Sequence, residues 1–207
     1  MTVNPAKLFL PALLFFSGVC LSGCSDPAPI TGIPINGPVS LLDLFSEARK
    51  TTTGNDWNVN IQVTEAQVEE APERVLLLHP KSEVIFPLKI LRPAILETAV
   101  ALRREAWEKE GDGATFYVAV RQQGEVLPTY LFSQRVYPQL LPEHRRWQPV
   151  RLDLTAYREK DIELILGTDP GPNNNVAYDW AVWRDPRIYN PATDIDVGKA
   201  EIPPRPN

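Results

Sequence analysis

Short segments in which every second residue is apolar, broken at close intervals by Gly, Pro and Asn, constrain this chain more than any other feature. In Thr115–Arg121, Phe116, Val118 and Val120 fall on one side, with Thr115, Tyr117 and Arg121 on the other. Val150, Leu152 and Leu154 alternate with Arg151 and Asp153, and Ile162, Leu164 and Leu166 alternate with Asp161, Glu163 and Ile165. A period of two places alternate side chains on opposite faces of a strand, so each segment is a strand with one core face. Arg74–Leu78, Glu83–Ile90, Thr129–Tyr137 and Tyr178–Trp183 read the same way. Many short strands joined by turn residues predict an antiparallel sandwich. Ala94–Glu110 is ambiguous: it is rich in helix formers behind Pro93, yet Leu96, Thr98, Val100 and Leu102 also alternate. Ser40, an N-cap type of residue before LLDLFSEARK, predicts a short helix closing one end of the domain.

Composition narrows the function classes. The formal net charge is −5 and no basic patch is present, which argues against nucleic acid as a partner. The two cysteines, Cys20 and Cys24, both lie in or next to the apolar N-terminal segment, so the remaining chain offers no disulfide, thiol nucleophile or thiolate metal site. His79 and His144 stand in no ligand-spaced motif, which leaves no basis for a zinc or copper cofactor. The 26 acidic residues leave oxygen ligation of a structural calcium open. No Gly-x-Ser-x-Gly elbow, Gly-rich phosphate loop or His-Glu-x-x-His motif occurs, so no catalytic residue is assigned and the expectation is a protein that is not an enzyme.

The N-terminus supplies an address. Lys7 precedes the apolar run Leu8–Leu21, which ends in Leu21-Ser22-Gly23-Cys24. A basic start, a short apolar run and small residues at its end are the parts of a secretory signal. With Cys directly after Leu-Ser-Gly, the segment resembles the lipobox of bacterial lipoproteins. The resemblance implies cleavage before Cys24, lipidation of its sulfur and acylation of the new N-terminus, so that the membrane partner is reached through Cys24. Ser25 rather than Asp after the Cys favours the outer membrane, periplasmic or surface-facing. The expected organisation is a signal peptide over 1–23, a Pro-rich tether over 24–39, a β-sandwich over 40–189 and an extended tail over 190–207. Glu65–Glu73 reads as solvated surface.

Four passages carry a second resemblance. They are Gly111–Phe116, Trp147 with Val150–Tyr157, Thr168–Asn174, and Tyr178–Trp183 closing at Pro186-Arg187-Ile188. Together, from about Pro93 to Ile188, they resemble a jelly-roll domain of the galactose-binding-like group found in bacterial envelope proteins and beside glycoside hydrolases. The resemblance implies a strand for Ala94–Glu110 and, commonly, non-catalytic glycan binding; many members are structural modules instead. The expected fold class is therefore all-β: an antiparallel jelly-roll β-sandwich with a short N-terminal helix. Its leading function is binding of a glycan or another envelope component, and the rival is a structural subunit that holds an envelope protein. Candidate ligand-binding residues are Asp169, Asn173, Asn174 and Asn175, whose amides suit sugar hydroxyls, with Tyr178 and Trp183 as aromatic platforms. Asp112 reads as a turn residue bonding nearby backbone, and Asp179 as a buried carboxylate hydrogen-bonded to the preceding loop. Trp180 and Trp183, three apart, are expected on opposite strand faces, and Trp147 as core or edge packing. Trp57 and Trp107 stand in polar, turn-like settings where an indole could stack on a pyranose.

Overall fold

The computed structural model describes residues 29–53 and 57–194. The signal peptide, Cys24, the side chain of Trp57 and the tail beyond Asp194 lie outside the described residues. Twelve strands follow in chain order: β1 Ile33–Ile35, β2 Val39–Ser40, β3 Arg49–Thr52, β4 Ile61–Gln67, β5 Pro72–Leu78 and β6 Ser82–Ile90, then β7 Ile95–Leu102, β8 Ala114–Gln122, β9 Thr129–Val136, β10 Gln148–Asp153, β11 Lys160–Pro170 and β12 Ala181–Tyr189. One helical turn, α1 (Trp57–Asn60), precedes β4.

The strands form two six-stranded sheets. The first has the order β1-β6-β11-β8-β9, with β3 also on β6; the second has β10-β7-β12-β5-β4, with β2 on β12. Every pair is antiparallel except β1 on β6, where Ile33, Pro34 and Ile35 lie beside Leu88, Lys89 and Ile90. The sandwich core collects the inward residues of both sheets: Phe86, Leu88, Phe116, Val118 and Leu164 from the first, Leu76, Leu96, Val100 and Trp183 from the second. Trp183 meets Phe116 edge-on at 5.5 Å between ring centres. The outer faces are apolar in part as well. Trp147 covers Val75, Ala99, Ala101 and Val182 on the second sheet, as its packing role predicted. Tyr117, assigned to the polar side by alternation, is buried on the first sheet's outer face with Ile85, Ala119 and Ile165.

Ala94–Glu110 resolves into strand β7 followed by a single 3₁₀ turn, Arg104–Ala106. Its neighbours decide the conformation: β10 and β12 bond to its two edges. Three expectations are corrected. The short helix after Ser40 is a run of tight turns, with Asp43 N–H donating to Ser40 O and Leu44 N–H to Leu41 O. Ser40 Oγ does accept from Leu42 N–H, at 3.3 Å, as a cap would. With β2 in one sheet and β3 in the other, these few residues must cross the sandwich while burying both Leu41 and Leu42. The expected tether is shorter at its C-terminal end, because Ile33–Ile35 adds a strand and buries Ile35. The last strand begins at Ala181 rather than Tyr178.

Candidate functional site

Three loops gather at one end of the sandwich: residues 103–113 between β7 and β8, 137–147 between β9 and β10, and 171–180 between β11 and β12. Backbone and side-chain bonds tie them together. Arg103 N–H donates to Trp180 O at 3.0 Å, Gln139 Nε2 to Ala106 O at 3.2 Å, and Asn173 N–H to Asp112 Oδ2 at 2.8 Å. Asp112 is thus not a self-contained turn residue; it clamps a loop 61 positions away. Gly171 permits that clamp, since a Cβ there would lie 2.5 Å from Asp112 Cγ. Arg135 completes the junction by donating to Asp112 O, at 2.9 Å from Nε.

The 171–180 loop is exposed from Pro172 to Tyr178 and carries two left-handed residues, Asn174 (φ 57°) and Tyr178 (φ 60°). Asn tolerates this region; a bulky Tyr there is uncommon and held only by its surroundings. Asn174 N–H bonds back to Gly171 O, and Asn175 Oδ1 accepts Ala177 N–H, which fixes the loop's bend. Tyr178, 40% exposed, meets Trp180 edge-on at 5.8 Å, and the Arg103 guanidinium lies 5.9 Å from the centre of the Trp180 ring. An exposed phenol, a half-buried indole, a guanidinium and three exposed amides therefore share one rim.

Of the expected ligand residues, Asn173, Asn174, Asn175 and Tyr178 come together here. Trp183 does not: it is fully buried in the core, its indole N–H 3.4 Å from Thr168 Oγ1, and it cannot meet a ligand. Because the strand starts at Ala181, Ala181 and Trp183 share the inward face; Trp180 precedes the strand and packs on the same core cluster instead of an opposite face. Trp180 is the aromatic that sequence reasoning missed as Tyr178's partner. The one signal for it was the Tyr178-Asp179-Trp180 spacing itself, once the turn is placed before the strand. Asp169 belongs to β11 rather than the loop, opposite Thr115 on the outer face. Local burial and neighbouring Glu83 raise its pKa, with Lys81 opposing. Trp107 is half-buried against the second sheet's outer face, its indole N–H bonded to Leu102 O at 3.0 Å.

Beneath the rim lies a buried acidic pair. Asp179 is fully buried and neither carboxylate oxygen has a partner, which corrects the expected bond to the preceding loop. Burial, then the charge of Asp112, push its pKa up to about 7, with Arg135 opposing. Asp112 Oδ1 and Gln139 Oε1 are also buried without partners. A proton on Asp179 or a hard cation on these oxygens would balance the pair. No group of three or more His, Cys, Asp or Glu placed to hold a metal occurs among the described residues.

No family model matches the chain. An uncharacterized protein of Archaeoglobus fulgidus is 37% identical over 121 residues, spanning 55% of this chain and 30% of that protein. The structure of the CBM51-2 and INT domains of Clostridium perfringens ZmpB superposes with a TM-score of 0.50 at 19% identity, over 74% of this chain and 31% of that one. The chain shares the jelly-roll β-sandwich fold of that structure. The CBM51 of Clostridium perfringens GH95, solved in complex with methyl-galactose, gives 0.47 at 17% identity over 73% of this chain and 99% of that one. This chain thus spans about a third of the archaeal relative and of the ZmpB structure.

Proposed function

We propose that this is a lipid-anchored, non-catalytic envelope protein whose loop end binds a glycan. The observation that carries the reading is Tyr178: an exposed ring in a strained backbone conformation, braced by Trp180, beside three exposed Asn amides. Strain of this kind persists where the surroundings enforce it, and such residues concentrate at ligand sites. An aromatic face suits the apolar face of a pyranose, while amides both donate and accept toward its hydroxyls. Pro172 and the Asn175 bond stiffen the loop, which lowers the ordering cost of binding. The rim is shallow and the groups few, so affinity should be weak.

The test is a glycan array followed by calorimetry on the soluble chain beginning at Ser25. Binding that disappears when Asn173–Asn175 are replaced by Ala, at unchanged melting temperature, supports the site. A folded triple mutant with parental affinity would exclude this loop. A parent that binds nothing across a broad panel would favour the structural-subunit role. The anchor is tested separately: Cys24→Ala should leave the unprocessed precursor, and the parent should fractionate with the outer membrane.

A further inference from the structure

The two most exposed large apolar side chains among the described residues are neighbours, Val126 (80%) and Leu127 (78%). They form the tip of the β8–β9 hairpin, at the end of the sandwich opposite the Asn loop. The tip is built to hold them outward. Gly124 (φ 86°) makes the bend, and the Glu125 carboxylate accepts both the backbone N–H of Gln122 at 3.0 Å and its side-chain amide at 2.7 Å. That pairing leaves the tip's one acid hydrogen-bonded back into the hairpin. Tyr130, two residues past Pro128, is exposed on the same hairpin and rests on Tyr117 at 5.4 Å.

The N-terminal segment arrives at this same hairpin. Ile30 N–H donates to Gln123 Oε1, and Pro29–Thr31 line a cleft of about 370 Å³ with Gln122 and Gly124. Gly32 N–H bonds Asp161 Oδ1 at 3.1 Å, and the Gly32 backbone lies so close to β6 that a Cβ would meet Leu88 C at 2.3 Å. Four residues, Ser25–Ala28, separate Pro29 from Cys24, a reach of at most ~17 Å. An acyl chain on Cys24 therefore holds the bilayer close to the hairpin tip. Strand β8 runs nine residues from the loop end to the hairpin, roughly 27 Å, which turns the Asn loop away from the lipid.

We propose that Val126 and Leu127 insert into the interfacial layer of the bilayer that carries Cys24, as a second apolar contact that holds the sandwich upright with its loop end outward. The inference rests on the proposed acylation of Cys24. A lipid chain alone leaves the domain free to tumble on its linker, whereas two contacts about one linker-length apart define an orientation.

The experiment uses the acylated full-length protein in phosphatidylcholine–phosphatidylglycerol vesicles. The leader cysteine leaves with the signal and Cys24 is consumed by lipid, so one introduced thiol takes a nitroxide uniquely. Leu127→Cys is compared with Leu140→Cys, an apolar position 66% exposed at the far end. The expected result is a severalfold higher ratio of oxygen to nickel-complex accessibility at 127 than at 140, lost when Val126→Asp is added. Equal, water-like accessibility at both positions, in protein whose N-terminal mass shows the acyl groups, overturns the hairpin contact and leaves the anchor standing. An N-terminal mass without acyl groups overturns both.

Discussion

Asp179 ties the candidate site to pH. Burial and the neighbouring Asp112 charge push its pKa up to about 7 in the folded chain, well above the ordinary carboxylate value of ~3.9. Between these two values the native state holds a proton that the unfolded state has released, so stability falls as pH rises through the window. The slope approaches about 1.4 kcal/mol per pH unit for one proton. Asp179→Asn, neutral at every pH, should flatten the dependence and melt higher than the parent at pH 8. Melting curves from pH 4 to 8 check this, and a parent stabilised by rising pH, or by added calcium, would assign a cation to the oxygens instead. Tyr178 makes the opposite exchange. In the left-handed region a Tyr carries a backbone cost of ~1–3 kcal/mol that Gly escapes. Tyr178→Gly, which trades that relief against the lost Trp180 contact, should therefore melt within a few degrees of the parent while glycan affinity falls at least about tenfold, or ~1.4 kcal/mol. Retained affinity in this variant would remove Tyr178 from the site.

Strand β11 is the element whose packing is least forgiving. Gly167 sits under the Tyr117 ring, where a Cβ would approach Cζ to 2.0 Å, and Tyr117 Oη donates to Glu83 at 2.8 Å. Burial, then that bond, raise the phenol well above its usual range, so it stays neutral and donating. Gly167→Ala should displace the ring, break the bond and cost about 1–3 kcal/mol by overpacking. In a double-mutant cycle, Tyr117→Ala should restore most of the loss; independent effects would show that the ring is not what Gly167 accommodates. Alternation made the central strands readable because one face of each meets the sandwich core. It misassigned Tyr117 because the outer face of this sheet is itself covered, a fact set by neighbouring strands. β4 escaped notice since it is an edge strand whose burial runs from Ile61 to Ala66, across the parity. β7 could not be told from a helix by its own residues, as Ala, Leu and Glu favour helices and its two partners decide otherwise. The Asn loop was legible from composition; its aromatic partner was not, because counting faces from Tyr178 instead of Ala181 exchanged Trp180 with Trp183.

At the scale of the whole molecule, the two ends of the sandwich differ in kind: one gathers three loops around Asp112, and the other receives the N-terminal segment. The joint between segment and sandwich is structural. β1 pairs in parallel with β6 and places Ile35 in the core, 5% exposed. After the last strand the chain is held again at Asp194, which is bonded to Arg92 at 2.5 Å and to Asn190 N–H at 2.8 Å. A chain from Pro29 to Asp194 should therefore melt as the parent does, whereas one beginning at Val39 should melt cooperatively at a lower temperature. Losing the buried Ile35 side chain forfeits ~1.5–3 kcal/mol, and at about 2–4 °C per kcal/mol for a domain of this size the melting temperature should drop by roughly 5–10 °C. The shorter chain also leaves the Leu88–Ile90 edge of β6 without its parallel partner, an unpaired stretch open to self-association. Calorimetry with sedimentation on both truncations measures the two effects. Equal melting of the two chains would return Ile33–Ile35 to the tether and remove the rigid joint on which the proposed orientation of the loop end depends.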